Sequence, residues 1–380
     1  MLRCLLLVLL LAVASLQAVQ DVWTDVKRIV AVGDVHGEFE QFAAVLRFAG
    51  MIDAKGNWSG GQTHLVQTGD VLDRGPDSRK AMDLLMKLER QAEQAGGRVH
   101  ALIGNHETMN IYGDLHDTSP GEFAAFRDQN SVKLRQQYYK QHVDEIQKAP
   151  PPSGLPAFDD DYRKRWESQF PLGYFEHRQQ LGPDGTYGKW IRSHNAVIKI
   201  NDMVFLHGGI SPRYVATPIS EINRRVLAEL EDPSKLQGSI LVDEEGPLWY
   251  RGLAQGDQRA LAPQVETVLR NLGAARIVIG HTPVAGAVLP RFGGKVILID
   301  VGMSRFYFGA QACLLVENGK PYALHRGRRL DLPSDFGKDL LRYVRQAAAL
   351  DPPPSPLGNA ITYLEEGLAK RVAPVEKQRK

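Results

Sequence analysis

Cysteine is almost missing. The 380-residue chain has two, Cys4 and Cys313, and Cys4 sits in an N-terminal apolar run. Removal of that run leaves no intramolecular disulfide, so stability has to come from a packed core. Cys313 lies in Ala312-Cys313-Leu314-Leu315-Val316, which reads as a buried, inert thiol and not as a nucleophile. Net charge is scant as well: 46 Lys and Arg stand against 44 Asp and Glu, a formal +2. No basic block is long enough to form a nucleic-acid stripe. The apolar run over residues 5–13 is too short to span a bilayer comfortably. There is no internal repeat. Asp159-Asp160-Asp161 lacks EF-hand spacing and reads as a solvated face.

What is present is ordinary for a soluble globular protein: 43% hydrophobic and 24% charged residues. The length suits one large α/β domain with additions, or two small domains. Arg3, the apolar run and the small residues Ala12, Ala14 and Ala18 form the charged, apolar and cleavage regions of a secretory signal over residues 1–20. Export to the periplasm, or to a secretory lumen or the exterior, is the expectation. It implies no stable membrane insertion after cleavage; the alternative is an uncleaved N-terminal anchor.

Residues 27–32, 65–67 and 99–103 read as core strands, each running into a Gly-rich motif. Amphipathic helices are expected over residues 38–49 and 77–94. Strand, motif and helix in succession imply βαβ topology and a largely parallel sheet. Residues 111–187 break the pattern. They are polar, aromatic-rich and irregular, with one or two helices over 121–148 and a stiff Pro-rich linker at 149–152. They read as an insertion that could form a lid over the site. Regular structure returns as a hairpin, 196–200 and 203–206, on an Asn201-Asp202 turn. Helices over 219–230 and 261–272 and strands at 276–279, 296–300 and 310–316 follow. The domain expected is 26–330, and residues 331–380 supply a C-terminal helix and tail.

Five strand ends carry acid, amide or imidazole groups: Asp34 with His36, Asp70, Asn105, His207 and His281. Residues at the ends of neighbouring strands converge in space. Asp34 and His36 are two apart, so on extended backbone they face one side and can share an ion. Each piece alone is weak. A lone Asp-x-His is seldom a metal pair, and His207 alone is as readily a turn histidine. All five in order, each after a strand, point to one site.

The set Gly33-Asp34-x-His36-Gly37, Gly69-Asp70-x-x-Asp73-Arg74-Gly75, Gly104-Asn105-His106-Glu107, His207-Gly208-Gly209 and Gly280-His281 resembles the phosphoprotein phosphatase family of calcineurin-like metallophosphoesterases. The resemblance covers about residues 28–310. It implies a four-layer α/β/β/α sandwich with a mainly helical insertion and two metal ions, Mn or an Fe/Zn pair. One ion would take Asp34, His36 and the bridging Asp70; the other would take Asp70, Asn105, His207 and His281. Carboxylate, amide oxygen and neutral imidazole suit those metals. A metal-bridging hydroxide would attack phosphorus directly, in keeping with the lack of a Cys-x5-Arg motif at Cys313. His106 would be the general acid and Asp73 its hydrogen-bond partner. Arg74 would hold phosphate, and Arg251 resembles a second phosphate-binding arginine. Glu107 reads as a loop brace.

Ile103 before the third motif, Thr282 after His281 and the Asp300-Val301-Gly302-Met303-Ser304 segment depart from the eukaryotic serine/threonine enzymes. With the signal-like start, Met109-Asn110 and the insertion, they resemble the Shewanella-like subgroup. The function implied is hydrolysis of a phosphoprotein or phosphopeptide monoester, on phosphotyrosine or phosphoserine/threonine. Two rival readings are a dinucleotide polyphosphate hydrolase and a metal-bound, non-catalytic binding protein. The bridging role sets a sharp expectation. Asp70→Asn lowers the occupancy of both metals together, whereas loss of His36 or His281 lowers mainly one. Metal analysis after dialysis reads this directly, and an Asp70→Asn protein that keeps both ions contradicts it.

Overall fold

In the computed structural model, residues 20–232, 234–333 and 337–372 are described. The signal-like run up to residue 19 and the basic tail from residue 373 lie outside them.

Short aliphatic strands set the frame. The chain enters on β1 (Val22–Trp23) and β2 (Arg28–Val32), in which residues 29–32 are buried. Helix α1 (Phe39–Phe48) buries Phe42, Ala43, Val45 and Leu46. After β3 (His64–Gln67) comes α2 (Ser78–Gln94), whose Ala81, Met82, Leu84, Leu85, Leu88 and Ala92 form one apolar face. Then β4 (Arg98–Ala101) runs into α3 (Asn105–Tyr112). β2 pairs with β3 and β3 with β4, both parallel, with Val30 opposite Leu65 and Leu65 opposite Val99. Parallel pairing in register brings the three strand ends, and the three motifs, to one edge.

The insertion is mainly helical, as the resemblance implies, with helices beyond the one or two expected over 121–148. It holds α4 (Pro120–Ala125), α5 (Ser131–Lys148), α6 (Asp160–Gln169), α7 (Tyr174–Leu181) and α8 (Thr186–Arg192). Aromatic packing holds it: Tyr138 stacks on Phe175 at 3.9 Å, and Trp166 packs on Tyr139 and Phe170 at 5.1 and 4.8 Å. The acidic run is a helix start. The Asp159 carboxylate accepts the Tyr162 N–H at 2.8 Å, and Asp160 and Asp161 fill the first turn of α6.

The second half builds β5 (Val197–Ile200) and β6 (Met203–Leu206), antiparallel about Asn201. It continues through α9 (Ile219–Glu231), α10 (Gly252–Gln255), α11 (Gln258–Leu272), β7 (Arg276–Ile279), β8 (Leu289–Arg291) and β9 (Val296–Leu298). It closes with β10 (Ala312–Glu317), β11 (Lys320–His325), β12 (Arg328–Asp331), α12 (Lys338–Ala348) and α13 (Gly358–Val372). The strands form two six-stranded sheets, β1-β5-β6-β7-β9-β8 and β12-β11-β10-β2-β3-β4. One apolar core joins them, and the fold is the four-layer α/β/β/α sandwich. β9 and β10 lie in different sheets, so residues 299–311 carry the chain across the site edge.

Two bounds need correction. β1 precedes residue 26 and β12 ends at Asp331, so both sheets extend past 26–330. The C-terminal part holds two helices, not one, with α13 packed on α12.

Glu107 ties the motif loops together. Its carboxylate accepts the backbone N–H groups of Asp70, Val71 and Gly104, each at 2.8 Å. The close approach of those loops requires glycine: a Cβ on Gly69 would stand 2.6 Å from Gly104 Cα, and Gly69 has φ 96°. In Glu107→Gln, an amide NH₂ replaces one acceptor oxygen and one buried N–H loses its partner. The loss expected is about 1.5–3 kcal/mol, read as a lower urea midpoint of the metal-free protein. A midpoint equal to that of the unsubstituted chain contradicts the bracing role.

Candidate metal and phosphate site

Each ligand-bearing residue follows a strand. Asp34 and His36 follow β2; Asp70, Asp73 and Arg74 follow β3; Asn105 and His106 open α3 after β4; His207 follows β6 and His281 follows β7. The first two come from one sheet edge with Asp70 and Asn105, the last two from the other sheet. The sheets meet here: a Cβ on Gly280 would stand 2.5 Å from Asp34 Oδ1.

The local backbone is unusual. His36, Asp70, Asp73, Arg74 and His281 all have positive φ, at 47°, 57°, 71°, 66° and 66°. Non-glycine residues rarely adopt this conformation, and such strain clusters at functional sites. It also corrects one expectation. β2 ends at Val32, so Asp34 and His36 are not paired by strand alternation. A left-handed turn at His36 aims its Nε2 to 4.0 Å from Asp34 Oδ2.

Asp70 Oδ2 lies 3.6 Å from His36 Nε2 and 3.2 Å from His207 Nε2. His207 Nε2 lies 2.8 Å from Asn105 Oδ1 and 3.0 Å from His281 Nδ1. The far nitrogen of each imidazole meets a backbone carbonyl: His36 Nδ1 at Leu72, His207 Nδ1 at Thr68 and His281 Nε2 at Trp249, at 2.9, 2.9 and 3.0 Å. Those nitrogens donate to the carbonyls, which leaves a lone pair on each nitrogen facing the cluster. His207 Nε2, His281 Nδ1, Asn105 Oδ1 and Asp70 Oδ2 are then four acceptors aimed at one another. A cation satisfies such a set and a proton donor network does not.

The charges agree. Burial, with Asp300 and Asp70 nearby, pushes the Asp34 carboxyl well above the usual range. Burial pushes Asp300 up to about 6. Burial lowers His36 to about 3, and burial with the neighbouring His207 lowers His281 well below its ordinary value. Neutral imidazoles beside crowded buried carboxylates fit divalent metal ions, which favour these ligand types. The clusters His36–Asp70–His106 and Asp70–His207–His281 each bring ligand atoms within 4.8 Å of one another.

His106 sits beside the cluster. Its Nδ1 lies 2.6 Å from Asp73 Oδ2, and its Nε2 lies 3.8 Å from Asp70 and 3.9 Å from Asp117. Asp73 is itself held by Asn110 Nδ2 at 2.9 Å and Thr118 Oγ1 at 2.8 Å. Burial works against a charged His106, but Asp70 and Asp73 outweigh it and raise its pKa.

Arg74 reaches the cluster. Its Nη1 donates to His36 Nε2 at 2.9 Å and to the Tyr307 hydroxyl, and its Nη2 lies 3.5 Å from Asp117 Oδ2. A bound anion has to exchange with some of these partners. Arg251 stands on the opposite flank, donating to the His281 carbonyl at 2.7 Å and to Thr282 Oγ1 at 3.1 Å.

Asn110, Asp117, Thr118, Asp300 and Tyr307 were not singled out from the sequence as site residues. Asp300 follows an aliphatic strand, as the other acids do, and was legible by the same rule. Asp117 and Thr118 come from the start of the insertion and carry no pattern. Through them, and through Glu122, which accepts the Asp73 N–H at 3.1 Å, the insertion acts as a wall of the site.

The profile of the calcineurin-like phosphoesterase family matches residues 27–285. Shewanella-like protein phosphatase 2 of Arabidopsis thaliana is 31% identical over 296 residues, covering 73% of this chain and 72% of its own. An uncharacterized Schizosaccharomyces pombe protein is 32% identical over 318 residues, covering 80% and 82%. The solved cold-active protein-tyrosine phosphatase of a psychrophilic Shewanella superposes with a TM-score of 0.64 at 28% identity, covering 84% of this chain and 85% of that one. The chain belongs to the calcineurin-like phosphoesterase family, and it is a phosphoric monoester hydrolase similar to the Shewanella-like protein phosphatases.

Proposed function

We propose that this metallo-phosphoprotein phosphatase acts on phosphotyrosine in exported proteins, with Mn or an Fe/Zn pair as its metals. The observation that carries the catalytic reading is the His106–Asp73 pair, at 2.6 Å, set against the ligand cluster. Asp34, His36 and Asp70 would hold one metal, and Asp70, Asn105, His207 and His281 would hold the other. When bound, the two ions supply an acidified water and stabilise both the attacking and leaving oxygens of an in-line displacement.

The protein's own groups do the rest. The bond to Asp73 fixes the proton on His106 Nδ1 and keeps the charged ring favourable, so Nε2 carries a proton to give to the leaving oxygen. Arg74 and Arg251 flank the cluster and offer guanidinium donors to phosphate oxygens. The likeness to the cold-active protein-tyrosine phosphatase supports phosphotyrosine as substrate. The charged, apolar and small-residue pattern of residues 1–20 supports export.

A panel of phosphotyrosine, phosphoserine and phosphothreonine peptides, run after reconstitution with Mn, Fe or Zn, tests the reading. Metal-dependent turnover with phosphotyrosine favoured is expected. His106→Ala lowers kcat by about 10²–10⁴ while metal content is kept. Full activity in His106→Ala contradicts the mechanism.

A further inference from the structure

Residues 299–311 cross from β9 to β10 over the site edge, and they carry three aromatic residues in a row, Phe306, Tyr307 and Phe308. Their side chains do different things. Tyr307 is half-buried; its hydroxyl takes a hydrogen bond from Arg74, and its ring lies 6.0 Å from that of His36. The Phe308 ring packs down onto Gly302, where a Cβ would meet it. Phe306 does neither, and the residue is 66% exposed.

An isolated exposed phenylalanine needs no explanation. Phe306 is not isolated. Its ring lies 5.3 Å from the Arg74 guanidinium carbon and meets the Tyr307 ring edge-on at 5.1 Å. Tyr307 is tied to Arg74, and Arg74 ties to His36. The exposed ring is therefore fixed next to the guanidinium that faces the ligand cluster. A phosphate held at Arg74 would lie next to this ring, within reach of the group it esterifies. A phenyl ester puts a flat apolar ring there; a serine ester puts a methylene and polar backbone.

We propose that Phe306, braced by Tyr307 against Arg74, is a specificity-determining residue that packs on the aromatic ring of a phosphotyrosyl substrate. The proposal rests on the phosphatase reading and assigns its substrate preference to one side chain. An aromatic pair contributes about 0.5–1.5 kcal/mol beyond area burial.

The test uses the full metal-loaded chain and two peptides of one sequence, carrying phosphotyrosine or phosphoserine. In Phe306→Ala the phosphotyrosine-to-phosphoserine ratio of kcat/KM falls about two- to tenfold, mainly through KM, and Phe306→Trp restores it. A second arm measures the affinity of non-hydrolysable difluorophosphonate analogues of the two peptides, and the same shift in ratio is expected. A ratio that stays constant in Phe306→Ala, in turnover and in binding, overturns the assignment. An unsubstituted protein that turns over neither peptide overturns the phosphatase reading instead. The binding arm then still decides the role of Phe306.

Discussion

Everything in the site hangs from Asp70. Its carbonyl accepts the N–H groups of Val35 and His36, both at 2.9 Å, which sets the turn after β2. Its Oδ1 accepts the His106 N–H at 3.0 Å, which sets the start of α3. Its own N–H is held by Glu107, and its Oδ2 faces His36 and His207. One residue thus fixes three loops and aims at both ligand clusters. The arrangement demands left-handed backbone at Asp70 itself, and a strained conformation persists only where its surroundings over-determine it. Here those surroundings are Glu107 and the segments that follow β2 and β4.

Such a site is costly in isolation. Asp34, Asp70, Asp73, Glu107 and Asp300 are all buried within a small volume, and buried charge requires partners. The protein divides the task. Backbone N–H groups compensate Glu107, and Asn110, Thr118 and His106 compensate Asp73. Asp34 accepts the His281 N–H, and it faces Asp70 and the imidazole lone pairs, an imbalance that metal ions would answer. Stability is supplied elsewhere, by a continuous core that spans both sheets. Cys313 belongs to that core, and burial pushes its thiol up to about 12, which disfavours the reactive thiolate.

The catalytic half of the fold was legible because its signals are local. β2, β3 and β4 are short aliphatic runs that each stop at a glycine and a polar ligand, and the β5–β6 hairpin announces itself through Asn201-Asp202. The insertion was less legible. In α5 Ser131 alone is buried, so no apolar stripe marks the helix, and aromatic contacts from α6 and α7 hold it in place. The β11–β12 hairpin was missed because its strands are mixed in polarity and gain order from pairing, β11 with β10 and β12 with β11. Within the site, the candidate ligands were read from strand-end chemistry and family resemblance. The positive φ values did not, since they arise from how loops from two sheets meet. Apart from His106, the partners of Asp73 were hidden for the same reason: Thr118 lies 45 residues along the chain from it.

The role proposed for the Asp70 junction is to hold the two ions that phosphatase turnover requires. The most direct measurement is a metal titration of the metal-free protein, with bound ions counted and phosphotyrosine-peptide turnover followed in the same samples. No turnover is expected without metal, with activity rising to a plateau as two ions bind per chain. Full turnover by metal-free protein, or no turnover with two ions bound, would contradict that role.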